Sequence, residues 1–499
     1  MTLDHHLGFT RNPFTKKSSE QELDFLDKIF YEPNYYQALM DGLANGDSQF
    51  IIGQRGHGKS SVINKLLEDL EQKNLFIIKV DRFDSIPLKK NETALIKLIL
   101  KHIVTKLSSY LYNNRKAVKK LSKFEKEKLA LFHRLFYGTL SKTEYKDVYN
   151  CYHKVKAKNI IIRLANKIGV KTANTVTSAV ISMGADAVRN SLGLPSSDSK
   201  NLHKDYFGEF KEIDFSKINI DKANFSKESL KHILDDTLEI VKKVGFQNTV
   251  ILFDKIDEFQ ELNQDITQIV NFTKEIVSDT ELLMNSNLAM GFSLWSELKS
   301  ELGGKVRFDK FGNIDVRWVA KDLMPLINKR INYFSVTKKL TLDQLVTNET
   351  ERNDLIRLAN KSPRDLITAL AEIYQDQSNT NQIVNCFDSQ CIHRGLISFC
   401  SSYDYDSIFP LSVKAGKGKE IWAMIKRLLT MQLTRFTVKQ LNDTFGQGTA
   451  QSEGQIKIME NYKLIREDDI LGLNNEVYYE VIDPKVEYLI KHAITSIEK

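Results

Sequence analysis

The stretch Gln49–Ser60 reads QFIIGQRGHGKS, an apolar run followed by Gly53, Gly58, Lys59 and Ser60 at the spacing G-x-x-x-x-G-K-[ST]. Phe50, Ile51 and Ile52 predict a short buried strand before the motif. After it, SSVINKLLEDLEQ keeps Val62, Ile63, Leu66, Leu67 and Leu70 on one helical face. A strand, a glycine-rich loop and a helix in this order let backbone N–H groups converge on phosphates, and the helix N-terminus adds positive potential. Gly53, Gln54, Arg55, Gly56, His57, Gly58, Lys59, Ser60 and Ser61 are therefore expected to cradle a nucleotide. Lys59 would neutralise the β- and γ-phosphates and Ser60 would hold Mg²⁺, so the expected cofactors are ATP and Mg²⁺.

Such a loop needs a second, acidic strand to hold the metal and orient water. The unbroken apolar run Val250–Phe253 ending in Asp254 fits a strand buried on both faces, with Asp254 placed to reach the metal. Further strands are expected at 75–81, at 287–293 with Ser293 as its polar end, and at 314–318. A helix over 322–334 follows, and then a loop that presents Arg364 at a helix start.

A chain of 499 residues, 42% hydrophobic and 27% charged, is expected to form several domains with a large core. Four scattered cysteines offer no disulfide framework, and Cys386, Cys391 and His393 lack the spacing of a zinc site. His5 and His6, near the terminus, are expected to be unstructured. No signal-like start or membrane-length apolar run is present, so the expectation is a cytoplasmic protein without a membrane partner. The net charge of +7 is unevenly spread: residues 97–171 hold 19 Lys+Arg against 4 Asp+Glu. Arg115, Lys116, Lys119 and Lys120 lie there, interleaved with aromatics such as Tyr110, Phe124, Phe132, Phe136 and Tyr145. Such a segment can follow a phosphate backbone, meet an acidic partner or simply be solvated; most of its aromatics read as core. At the C-terminal end, helices from Glu420, from Thr437 and over 451–462 precede a hairpin, a winged-helix pattern. Its third helix carries one basic residue, Lys457, and residues 414–499 hold 13 Lys+Arg against 12 Asp+Glu, which favours protein contact over DNA reading.

With these parts in this order, the chain resembles AAA+ ATPases of the origin-recognition type and their bacterial relatives among signal-transduction and defence ATPases. The resemblance spans Asn12 to about Tyr374 and then the C-terminal domain. It implies an α/β P-loop NTPase fold, a parallel sheet with helices on both faces, carrying a large helical insertion, a helical lid and a C-terminal winged helix. The expected boundaries are 1–91 and 210–320 for the core, 92–209 for the basic insertion, 321–400 for the lid and 411–499 for the winged helix. The resemblance further implies that Asn12 and Phe14, with Tyr35 and Tyr36, hold the base. Ser293 matches a first sensor and Arg364 a second, while Arg307 or Arg330 would act across a subunit interface.

One departure stands out. The glutamate that polarises the attacking water usually follows the metal-binding acid, and here that position is Lys255. Asp257 and Glu258 are the acids left to serve as base. The leading expectation is an ATPase that uses Mg·ATP binding and slow or regulated hydrolysis to control its assembly or conformation with a partner, as a homo-oligomer or with an effector protein. Its setting would be a bacterial defence or mobile-element system. The alternatives are a DNA-binding initiator or loader, with Arg115, Lys116, Lys119 and Lys120 or the winged helix on DNA, and a non-hydrolysing switch that scaffolds an effector.

Overall fold

The computed structural model describes residues 2–84, 86–88, 92–136, 226–259, 262, 265–407, 418–470 and 476–497. The nucleotide-binding half runs α1 (Tyr36–Asn45), β1 (Gln49–Gly53), α2 (Lys59–Glu71), β2 (Phe76–Val80), α3 (Glu92–Asn113), α4 (Lys123–Phe136), α5 (Lys227–Val244) and β3 (Thr249–Phe253). It continues with α6 (Ile266–Val277), β4 (Leu288–Trp295), α7 (Ser296–Leu302) and β5 (Gly312–Asp315). The five strands form one parallel sheet in the order β2-β3-β4-β1-β5. This is the expected α/β fold, a parallel sheet with helices on both faces, with the glycine-rich loop and the acidic strand both at the carboxyl edge of the sheet.

Strand periodicity divides the core. Ile51, Ile77, Val250, Leu252 and Ala289 point to the face covered by α1 and α2. Phe50, Ile52, Phe76, Ile78, Ile251, Phe253 and Phe292 point to the other, covered by α3, α5, α6 and α7. The rings of Phe50, Phe292 and Phe253 stack across three strands, at 5.6 and 4.8 Å between centroids. Full burial of β1, β3 and β4 explains why their apolar runs are continuous rather than alternating.

Residues assigned to an insertion from position 92 begin instead as core. The stripe Ile96, Ile99, Leu100, Ile103 and Leu107 on α3 is buried against the sheet, and α4 and α5 pack beside it. The chain added to the sheet therefore starts after α3. Part of its basic character is spent in this packing. Lys128 pairs with Asp236 at 2.7 Å, Lys243 with Glu125 at 2.6 Å, and Lys120 Nζ donates to the Val244 carbonyl. Lys116 and Lys119 are exposed, and Arg115 opens a short helix, Arg115–Val118. Phe132 and Phe136 are buried as expected, whereas Phe124 is exposed. Tyr145 and residues 172–193 lie outside the described residues.

Beyond the sheet come α8 (Ala320–Phe334), α9 (Glu349–Leu358), α10 (Pro363–Thr380) and α11 (Ser389–Ser401), the helical lid. The last unit comprises α12 (Gly418–Met431), β6 (Arg435–Thr437), α13 (Val438–Phe445), α14 (Thr449–Asn461), β7 (Ile465–Glu467), β8 (Tyr478–Val481) and α15 (Pro484–Lys491). Its antiparallel sheet, ordered β6-β8-β7, completes the winged helix, and Thr437 caps α13 through a capping box with Gln440. One apolar cluster runs from the α1–α2 face of the sheet through the lid into the winged helix. The N-terminus joins it: Leu3–His6 is helical, Leu3, Leu7 and Phe9 are buried, and Thr10 N–H donates to the Phe334 carbonyl. His5 and His6 thus belong to an ordered helix rather than an unstructured terminus.

Candidate functional site

The loop between β1 and α2 turns through two left-handed glycines, Gly56 at φ +83° and Gly58 at φ +84°, the latter capping α2. That backbone is where glycine is favoured. Lys59 opens α2, and its Nζ donates to the carbonyls of Gly53 (2.8 Å) and Gln54 (3.1 Å). Burial pulls the Lys59 ammonium below its usual range, while Asp257, then Asp254 and Glu258, act to keep it charged. His57 Nδ1 lies 3.2 Å from the Val316 carbonyl, and its own carbonyl accepts from Trp318 Nε1 at 2.8 Å. Burial also lowers the His57 pKa, favouring the neutral ring. Both contacts come from the segment after β5, so the edge strand anchors the loop. The strand expected over 314–318 is Gly312–Asp315, which leaves Trp318 to this anchoring role.

Asp254 follows β3 and is 1% exposed. Its Oδ1 accepts the Lys255 N–H at 3.1 Å, and its Oδ2 has no hydrogen-bond partner. Burial raises its pKa, opposed by Lys79 and by the nearby hydroxyls of Ser60 and Ser293. A buried carboxylate oxygen without a donor, next to the P-loop serine, suits a hard divalent cation that takes oxygen ligands. Mg²⁺ fits these residues. Ser293 lies within β4, opposite Ile51 of β1 and one residue past the partner of Phe253. The strand continues two residues further, to Trp295, so Ser293 is an interior polar residue and not the strand end.

Lys255 takes a left-handed conformation, φ +60°, and its Nζ pairs with Glu20 of the N-terminal segment at 2.6 Å. Although burial disfavours the charge, Glu20 lifts the Lys255 ammonium above its usual pKa. The next turn, Ile256–Glu258, carries the two acids. Asp257 is buried, with Oδ2 3.6 Å from Arg55 Nε, and the Arg55 guanidinium lies 4.7 Å over the Trp295 ring. Glu258 reaches the surface. Desolvation and the neighbouring Asp257 nevertheless raise its carboxyl pKa, against Lys255 and Arg55.

The lid touches the loop directly. Arg364 N–H and Ser362 Oγ both approach the Gly56 carbonyl, at 3.4 and 3.5 Å, while Ser362 also caps α10. The Arg364 side chain is exposed. The winged helix arrives by a second route: Gln54 Nε2 donates to Glu297 Oε1 at 3.2 Å, and Lys463 pairs with the same oxygen at 3.6 Å.

Five expected residues fall elsewhere. Phe14 is fully buried between Phe9 and Tyr374, so its ring fills core and cannot stack on a base. Asn12 Oδ1 accepts the Phe14 N–H at 2.8 Å and shapes that turn. Tyr36 is likewise core, its hydroxyl donating to Asp69. Arg330 is 3% exposed and fully engaged: it donates to the carbonyls of Pro13 (2.6 Å) and Lys16 (2.9 Å) and pairs with Glu22 at 2.5 Å. It clamps the N-terminal segment to α8 and is unavailable to another subunit. Arg307 is exposed and forks onto its own Asp309. Sequence reading missed Glu20, Trp295, Glu297 and Lys463. Their partners are distant along the chain, and no local pattern announces them.

The sequence matches no protein-family model and no curated protein. Among solved structures it is similar to the Aeropyrum pernix ORC2 protein in ADPNP–ADP complexes, at 11% identity and TM-score 0.40, covering 97% of this chain and 98% of that one. It is also similar to the Aeropyrum pernix ORC1 protein in complex with DNA, at 8% identity and TM-score 0.36, covering 93% of each chain. A third is Drosophila ORC bound to DNA, at 9% identity and TM-score 0.29, covering 99% of this chain and 91% of that one. These likenesses are loose. The fold rests on the sheet order and site geometry described above.

Proposed function

We propose that the chain is an AAA+-type ATPase that binds Mg·ATP in the loop Gly53–Ser61 and turns it over slowly, using the nucleotide to set its shape toward a partner. The observation that carries this reading is the juxtaposition of Lys59 at the start of α2, Ser60 beside it, and the orphaned, buried Oδ2 of Asp254. Ser60 and Asp254 would hold Mg²⁺, which when bound neutralises phosphate charge and polarises the γ-phosphoryl group. Lys59 and the loop amides orient the phosphates. Glu258 or Asp257 would take the proton of the attacking water, directly or through a second water. Lys255 cannot, because a charged ammonium has no lone pair to offer, and its pairing with Glu20 keeps it charged. Slow turnover follows from this arrangement.

The contacts Gly56–Ser362/Arg364 and Gln54–Glu297–Lys463 join the loop to the lid and the winged helix. A nucleotide that reshapes the loop would act on both, and so on an effector protein or a second copy docked there. The placing in a bacterial defence or mobile-element system is proposed on the sequence resemblance alone. The DNA-initiator alternative is less favoured. The exposed residues of α14 include Gln451, Glu453 and Lys457, a mixed surface, and two lysines of the basic segment are engaged in packing, Lys128 with Asp236 of α5 and Lys120 with the Val244 carbonyl.

Steady-state hydrolysis with and without duplex DNA, for wild type, Glu258→Gln and Asp257→Asn, tests this reading. The variant that loses the base is expected to fall about 10²-fold or more in kcat. Turnover unchanged in both variants would refute the assignment of the base, and stimulation by DNA would promote the initiator alternative.

A further inference from the structure

The lid meets the nucleotide loop through the first turn of α10, and a buried charge from the winged helix holds that turn. At the loop, the Gly56 carbonyl faces the Arg364 N–H at 3.4 Å and Ser362 Oγ at 3.5 Å. A Cβ on Gly56 would meet Ser362 Oγ at 2.7 Å, so a small shift of the turn is felt by the loop. Ser362 Oγ also accepts the Asp365 N–H at 3.2 Å, which ties the cap, Arg364 and Asp365 into one unit. Asp365 Oδ2 accepts from Tyr403 Oη at 2.7 Å and lies 3.2 Å from Lys485 Nζ of α15. That ammonium sits 3.9 Å over the Tyr403 ring and 5.6 Å from the Phe399 ring. The charge of Asp365 reaches the loop itself, where it acts against the burial that lowers the His57 pKa.

Two routes thus join the winged helix to the loop, and their burial separates them. Lys463 and Glu297 are 66% and 38% exposed and 3.6 Å apart, and an ion pair in water contributes little. Lys485 and Asp365 are 1% and 13% exposed, and removing either leaves a buried charge uncompensated. Stability alone does not call for such a pair, because apolar side chains of the same volume would serve as well. What the pair adds is position. Lys485 fixes a residue that adjoins Arg364 and lies three past Ser362, the two lid groups that touch Gly56.

We infer that Lys485 is a positioning residue: through Asp365, the winged helix holds the first turn of α10 against the nucleotide loop, so that docking of the winged helix and binding of Mg·ATP favour each other. This rests on the reading of the loop as an Mg·ATP site. Such coupling is reciprocal. A partner that draws α15 off the lid would lower ATP affinity, and bound ATP would resist that partner by the same factor.

The test uses the full chain, comparing wild type, Lys485→Met, Asp365→Asn and the double variant by calorimetric titration with Mg·ATP, steady-state kinetics and hydrogen exchange of the α15 amides. Each single variant is expected to bind Mg·ATP about tenfold more weakly, within the usual range of coupling between sites. KM should rise with Kd while kcat stays within about twofold, the mark of lost binding rather than lost transition-state stabilisation. The double variant should match the single ones rather than multiply their losses, since both remove the same pair. It leaves no lone buried charge, so it serves where a single variant fails to fold. Saturating Mg·ATP should slow exchange across α15 in wild type and have no such effect in the double variant. A pair with a structural role alone would lower the melting temperature and leave affinity, KM and the ATP effect on exchange as they are in wild type. Affinity within about twofold of wild type in the folded variants would therefore overturn the inference and leave the ATP site standing. Losses that multiply in the double variant would overturn the path through Asp365. Where wild type binds ATP without turnover, Kd and exchange decide the matter by themselves. Absence of binding by folded wild type would remove the site reading and this inference together.

Discussion

Asp254 shows what a working site costs its own fold. Burial raises the pKa of its carboxyl, so the folded chain binds that proton more tightly than the unfolded chain does. Stability from this group is therefore full below the ordinary carboxylate range, about pH 4, and is lost as pH rises through the raised value. Asparagine never ionises. Asp254→Asn without nucleotide or Mg²⁺ is accordingly expected to melt at a higher temperature than wild type at pH 7, with the gap closing toward pH 4. Scanning calorimetry across that range checks it, and a variant that melts lower at pH 7 would contradict the account. The helix start at Lys59 and the buried strand that precedes Asp254 were legible in the sequence because each is announced by its neighbours, a glycine pattern in one case and an apolar run in the other. Arg330 and Phe14 were misread because their partners are remote: Arg330 reaches Pro13 and Glu22, and Phe14 reaches Tyr374. Nothing local separates a clamping arginine from a catalytic one.

At the scale of elements, the lid depends on a close approach of α10 and α11. A Cβ placed on Gly395 would come within 2.6 Å of the Ile373 backbone. Alanine normally favours a helix over glycine by about 1 kcal/mol, yet overpacking typically costs about 1–3 kcal/mol. Gly395→Ala is therefore expected to be neutral to destabilising by up to about 2 kcal/mol in urea unfolding, the balance of those two effects; a clearly more stable variant would show that the helices can part freely. A Cβ on Gly56 would meet Ser362 Oγ at 2.7 Å, and the residue sits at φ +83°. Gly56→Ala should push the lid off the loop and weaken ATP binding, read by calorimetric titration. The strands β1 and β3 and the cap at Thr437 could be read from runs and spacing. Less could be read where periodicity is shared between competing structures. The buried stripe of α3 looks the same in a helical insertion as against a sheet, β4 continues past its one polar residue, and β6 is too short to display alternation.

For the whole molecule, the lid and the winged helix form one apolar cluster with the sheet, and a buried ion pair lies at their junction. Lys485 of α15, 1% exposed, is 3.2 Å from Asp365 of α10, one residue from Arg364, and its Nζ lies 3.9 Å over Tyr403. Removing one partner of a buried pair leaves an uncompensated charge, so Lys485→Ala is expected to lose about 3 kcal/mol in urea unfolding. A loss under about 0.5 kcal/mol, the size of a surface substitution, would mean that the junction carries little. The central claim, that this architecture is organised around Mg·ATP held by the loop after β1, is tested most directly by calorimetric titration of the full chain with Mg·ATP, wild type against Lys59→Ala. The account predicts saturable binding by wild type and its loss in a folded Lys59→Ala variant; equal binding by both chains, or none by a folded wild type, would contradict it.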